Sequence, residues 1–176
     1  NPSLDSIREA DGMTLRVALG ARPGSGAPAS STTQIVVPTP ILTHLDMLRI
    51  REQSDTPVQR FEMLYSHVFD DAKANAAALA AAIDGTAEAV ADFARESGGI
   101  AVLTDRHVST DRAGLPMVLT VAAVNQRLID EGLRLRVSVI VESGQLFSSH
   151  HIAATLGFGA AAVYPLTVQM RAEEKY

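Results

Sequence analysis

Residues 98–165 alternate short apolar runs with amphipathic stretches, and that alternation restricts the fold more than any other feature of the chain. Residues 100–103 (IAVL) and 137–141 (VSVIV) are brief, nearly continuous apolar runs, as expected of strands covered on both faces. Residues 160–163 read as a third strand. Between the first two, Pro116 suits the first turn of a helix running to Glu131, with Gly132 as its stop. Its apolar face is read as Leu115, Val118, Leu119, Ala122, Leu128 and Ile129. A shorter helix over 149–156 ends at Gly157. Strands alternating with helices at this spacing imply parallel pairing through right-handed crossovers. The fold class is therefore α/β, with parallel β-strands alternating with helices.

The first half is less regular. Alternate aliphatics Leu15, Val17 and Leu19 predict a half-buried strand over 14–19, and a second short strand is predicted over 34–37. Between them, residues 20–33 (GARPGSGAPASSTT) bury too little apolar surface to offset their ordering entropy, so a mobile loop is expected. Thr43 is a natural N-cap for a helix to Gln53, with Asp46 in its first turn and the turn 54–57 after it. Residues 58–68 predict an irregular strand. Residues 71–97 are alanine-rich and helical, with Leu79, Ile83, Ala87, Val90 and Ala94 on one stripe. Gly85 weakens the middle, and Gly98-Gly99 ends it. The charged segment 171–176 is expected to fray.

Composition removes several functions. The 176 residues carry a net charge of −5, so no basic surface points to nucleic acid or anionic lipid. With no cysteine there is no disulfide, thiol nucleophile, or thiolate ligand for a metal or cluster. No apolar run approaches the roughly 20 residues that cross a bilayer, and residues 1–5 (NPSLD) lack the pattern of a secretory signal. A cytoplasmic location and one domain over 1–176 are expected.

Polar residues gather where the strands end, the edge on which α/β proteins usually build their sites. Thr104-Asp105-Arg106 and Asp111-Arg112 place two acid–base pairs in one polar loop over 104–114. They suit a carboxylate base or a phosphate-binding arginine, or a loop held by its own ion pairs and by Asp acceptors for backbone N–H groups. Glu142 follows a buried strand, where a general acid or base fits, but has no evident partner in sequence. Residues 142–144 read as a turn, and Ser143 lacks the surroundings of a nucleophile elbow. His150 and His151 point about 100° apart on a helix, unlike the i, i+4 pairs that ligate metals. One of them near the helix start suits an anion or a contact with Glu142. Gly157-Phe158-Gly159 lies after a helix and before a strand, the reverse of a phosphate loop, and reads as a helix stop. No catalytic, cofactor-binding or metal-ligating residue is assigned.

Four segments carry a resemblance. Residues 1–15 (NPSLDSIREADGMTL), 38–42 (PTPIL), 99–121 (GIAVLTDRHVSTDRAGLPMVLTV) and 137–166 (VSVIVESGQLFSSHHIAATLGFGAAAVYPL) resemble, in order, segments of the central domain of the glutamate synthase large chain. The chain departs from the family pattern at Ala10-Asp11-Gly12, at Ala113-Gly114-Leu115-Pro116 in place of APIP, at Gln145 for an acid, and at Tyr164 for an asparagine. The resemblance implies a partial or degenerate (β/α) barrel. It implies a domain joining a glutamine amidotransferase domain to one that uses FMN, an iron–sulfur cluster and 2-oxoglutarate to make glutamate. It also implies that the domain helps enclose the ammonia route between those two. None of the family's catalytic, flavin or cluster residues falls on a matching position. FMN and the cluster are thus expected in the parent chain and no cofactor in this domain. The flanking domains are the expected partners, and an isolated copy is expected to expose apolar patches and self-associate. The other reading is a stand-alone α/β ligand-binding domain or small enzyme, with an anion site built from Asp105, Arg106, Glu142 and His150 or His151.

Overall fold

The alternation becomes a parallel sheet in the computed structural model, which describes residues 12–28, 33–52 and 55–175. In chain order the first elements are β1 (Val17–Leu19), β2 (Ile35–Val37), α1 (His44–Glu52), β3 (Val58–Glu62), β4 (Leu64–Ser66) and α2 (Ala72–Glu96). There follow β5 (Gly99–Thr104), β6 (Arg112–Gly114), α3 (Met117–Asp130), β7 (Val137–Ser143), α4 (Ser149–Gly157), β8 (Ala162–Pro165) and α5 (Leu166–Lys175). The main sheet runs β3-β5-β7-β8 with every neighbour parallel. Strand order equal to chain order is the arrangement of consecutive units in a (β/α) barrel, here left open at four strands.

The alternation of side chains divides the sheet between two cores. Ala101, Leu103, Val139, Val141 and Val163 pack against α2, α3 and α4, which the shared handedness of the crossovers brings to one face. Ile100, Val102, Ile140 and Ala162 point the other way and are covered by Leu19, Val37, Leu42 and Ile50 from the N-terminal elements. In a closed barrel that second face would line the interior. Here β1, β2 and α1 fill it instead. The outer edge of β8 is also covered. Ile41 bridges Val163, Leu42 N–H donates to Val163 O at 2.8 Å, and Val163 N–H donates to Pro40 O at 2.7 Å.

Local signals explain the helix ends. Thr43 Oγ1 accepts from Asp46 N–H at 3.2 Å and Asp46 Oδ2 accepts from Thr43 N–H at 2.9 Å, a reciprocal cap. The Thr43 hydrogen bonds hold the Asp46 carboxyl below its ordinary range. Asp71 caps α2 through Ala74 N–H, and the stripe Ile83, Ala87, Val90 and Ala94 is buried, with Leu79 packed beside it. α2 continues through Gly85 without a break. At Gly99 a φ of +116° turns the chain into β5, and a Cβ there would stand 2.3 Å from Pro57 O.

Other expectations need correction. The irregular strand over 58–68 is two strands, and the polar loop over 104–114 contains β6. β4 and β6 pair antiparallel because Met63 N–H donates to Thr104 O and Leu115 N–H to Met63 O. Such pairing between distant segments leaves no local signal. The turn at 142–144 starts late, since Glu142 and Ser143 still pair with Tyr164 and Pro165. The third strand is Ala162–Pro165 rather than 160–163, because Ala160 N–H closes the end of α4 on Thr155 O. The buried side of α3 is Met117, Thr120, Val121, Val124 and Leu128, which leaves Leu119 and Ile129 exposed. Aliphatics surround this helix, and the neighbours select which of them to bury. Residues 171–175 belong to the C-terminal helix α5. Residues 20–28 form turns without helix or strand. Residues 1–11, 29–32, Gln53, Ser54 and Tyr176 lie outside the described residues.

Candidate functional site

The parallel register carries four polar residues to one row. Glu62 stands opposite Thr104, Thr104 opposite Glu142, and Glu142 opposite Tyr164. Since Val58, Val102 and Tyr164 join the core on the α1 side, side chains of the same parity face α1 too. Arg60, two residues before Glu62, shares that face.

Glu142 is the centre of this row and only 1% exposed. Its Oε1 accepts from Arg106 Nε and Nη2 at 3.2 and 2.8 Å. Its Oε2 accepts from Thr104 Oγ1 at 2.7 Å and from Arg60 Nη2. Burial pushes the carboxyl up. The hydrogen bonds from Arg106 and Thr104, with the charges of both arginines, outweigh that and hold it below the ordinary carboxylate range. Glu142 in turn raises the Arg106 guanidinium. A general base acting near neutral pH is tuned upward. This one is tuned downward and has both oxygens occupied.

Asp105, also buried, accepts from Ser143 Oγ at 2.6 Å, Gly144 N–H at 2.8 Å and Gln145 Nε2 at 3.2 Å. Gln145 also donates to Leu115 O at 2.9 Å and accepts from Met117 N–H at 3.2 Å. One amide thus ties the β7–α4 turn to the start of α3 and satisfies an otherwise unpaired helix N–H. Ser143 is fully buried and donates to a carboxylate. Its hydroxyl is a strut.

The sequence-level pairings are redrawn accordingly. Arg106 pairs with Glu142 and Arg112 with Glu62, rather than with the neighbouring Asp105 and Asp111. The His107 hydrogen bond, then Arg112, holds the exposed Glu62 carboxyl below its ordinary value. His150 and His151 take no part in the Glu142 cluster. His151 Nδ1 accepts from Phe147 N–H at 3.3 Å within its own turn. Gly157-Phe158-Gly159 is a helix stop. Gly159 N–H donates to Leu156 O and Ala160 N–H to Thr155 O, with Gly159 at a φ of +121°. Arg60 and Glu62 were not singled out from sequence. Their spacing of two in VQRFE is the signal that places them on one face.

A cavity of about 80 Å3 lies between this row and α1, walled by Met47, Leu48 and Val102 and rimmed by Arg51, Arg60 and Arg106. Among the described residues, no three His, Asp or Glu side chains stand close enough to hold a metal. No described helix is long and apolar enough to cross a membrane.

A family model described as the glutamate synthase central domain matches residues 1–176. Over 170 residues the chain is 35% identical to the ferredoxin-dependent glutamate synthase of Cyanidium caldarium, covering 94% of this chain and 11% of that protein. Ferredoxin-dependent glutamate synthase 1 of Arabidopsis thaliana is 33% identical over 170 residues, covering 94% and 10%. The glutamate synthase (NADPH) large chain of Bacillus subtilis is 29% identical over 168 residues, again covering 94% and 10%. The chain spans about a tenth of the length of these curated relatives. By the full-length family match and these identities, the chain belongs to the glutamate synthase central domain family.

Proposed function

We propose that this chain is the connecting domain of a glutamate synthase polypeptide that makes glutamate from glutamine and 2-oxoglutarate. It links a glutamine amidotransferase domain to an FMN/iron–sulfur synthase domain and helps enclose the ammonia route between them. The observation that carries the reading is the state of the strand-end polar groups. Glu142, Asp105, Thr104 and Ser143 are buried and bonded to one another's neighbours, an arrangement that holds loops in place and leaves no free base or nucleophile among them.

The cofactors of such an enzyme are assigned to its other domains. The chain has no cysteine with which to hold a cluster. The helix starts that would meet a flavin phosphate are closed by side chains, Met117 N–H by Gln145 and His151 N–H by Ser148. Within this reading, the exposed Leu119, Phe147 and Phe158 along α3 and α4 are the contact surface for a neighbouring domain, and in an isolated copy for self-association. A cytoplasmic location goes with it.

In the full polypeptide, Leu119→Glu with Phe158→Glu should release ammonia to solvent for each glutamine consumed, while glutamate formation from added ammonia persists. Unchanged coupling would count against the contact surface. Calorimetric titration of the 176-residue chain with FMN and 2-oxoglutarate should show no heat, and binding of either would overturn the connecting role.

A further inference from the structure

The opposite, amino end of the sheet holds an open cavity of about 580 Å3, bounded by β1, the segment after it, the 134–136 turn and the start of β7. That volume lies in the range of small-molecule pockets, about 300–1,000 Å3. Arg16, Arg22 and Arg134 line it together with Gln34, and among the described residues no acid does. Five arginines elsewhere meet carboxylates. Arg60 and Arg106 meet Glu142, Arg112 meets Glu62, and Arg95 and Arg127 meet Glu88 and Glu131. Among the described residues, three guanidinium groups thus line this cavity with no carboxylate in its lining.

The backbone beneath them is anchored. Arg22 N–H donates to Leu135 O at 2.8 Å. Arg134 is itself fixed, with Nε on Asn125 Oδ1 at 2.6 Å, Nη1 on Val137 O at 3.1 Å and Nη2 on Gly159 O at 2.9 Å, all neutral acceptors. Burial, and then the Arg22 charge, lower its guanidinium from the ordinary value. Bringing like charges together over a desolvated cation is unfavourable unless an anion relieves it.

We propose that this cavity binds a small oxyanion of the phosphate class carrying two or more negative charges. Arg16 and Arg22 grip the oxyanion, Arg134 supplies a fixed positive floor, and Val17 and Leu135 wall the uncharged part of the ligand.

The test is equilibrium dialysis of the full polypeptide against radiolabelled pyrophosphate at low ionic strength. Wild type is compared with the Arg16→Gln/Arg22→Gln double variant and with Arg112→Gln at the far end of the sheet. Both substituted side chains of the double variant are exposed, so an unchanged melting temperature checks its fold. One equivalent of pyrophosphate should be lost, or held at least about tenfold more weakly, in the double variant. Arg112→Gln should bind as wild type does. Equal binding by the double variant overturns the proposal. So does a structure of the full polypeptide in which an acidic side chain of another domain fills the cavity.

Discussion

Replacing Glu142 by glutamine isolates the electrostatics of the strand-end cluster. The amide keeps the size of the carboxyl but loses its charge, and its NH2 must face either the Arg106 guanidinium or the Thr104–Arg60 pair of donors. Removing one partner of a buried ion pair costs about 3–5 kcal/mol. The Arg60 and Arg106 side chains are 41% and 36% exposed, so they turn toward water and regain part of that. The expected loss is about 2–3 kcal/mol, or about 4–12 °C in melting temperature for a domain of this size. Urea unfolding of the 176-residue chain should show a lower midpoint at unchanged slope. The pH dependence gives a second readout. The folded carboxyl sits below the unfolded value of about 4.3, so its stabilisation is fully present above that value and is lost as pH falls through the folded one. The gap between wild type and variant should be constant above about pH 5.5 and narrow progressively as pH falls below the unfolded value of about 4.3. A loss under about 0.5 kcal/mol at neutral pH, or a gap that persists undiminished in acid, would refute the structural account of Glu142.

Further substitutions test neighbouring parts of the argument. Gln145→Glu removes the donor to Asp105 and Leu115 and sets a second carboxylate against Asp105. It should cost about 1–3 kcal/mol at neutral pH, less in acid, with hydrogen exchange rising in residues 144–148. Gly85→Ala meets open space within α2 and should stabilise the chain by about 0.5–1 kcal/mol in the same urea assay. Gly99→Ala, at a φ of +116° with Pro57 O 2.3 Å from its Cβ, should cost more than about 3 kcal/mol or prevent folding.

Much of this fold could be read along the chain because its signals are local. The caps at Thr43 and Asp71, the glycine stops at Gly98, Gly132 and Gly159, and the apolar runs of β5 and β7 depend on residues within a few positions of each other. The candidate site was half legible. Thr104, Asp105, Arg106, Glu142 and Ser143 stand out as polar residues at strand ends, but their partners do not. Arg106 binds a carboxylate 36 positions away and Arg60 one 82 away, and neither distance can be inferred from neighbours in sequence. Adjacent pairs such as Asp105-Arg106 were therefore misleading, since consecutive residues at a strand end point to opposite faces.

The sequence alone therefore determined the α/β class and the types of the longer elements, since these follow from backbone preference and short-range hydrogen bonding, whereas β6 and α5 were not read from it. Tertiary structure alone decided three things. It chose which aliphatics of α3 are buried, leaving Leu119 and Ile129 outside. It joined β4 to β6 across the carboxyl edge. And it set Glu62, Thr104, Glu142 and Tyr164 in one row by the parallel register of four strands. Each is a contact between segments far apart in the chain, fixed by packing and strand pairing, for which no residue's own neighbours carry the information.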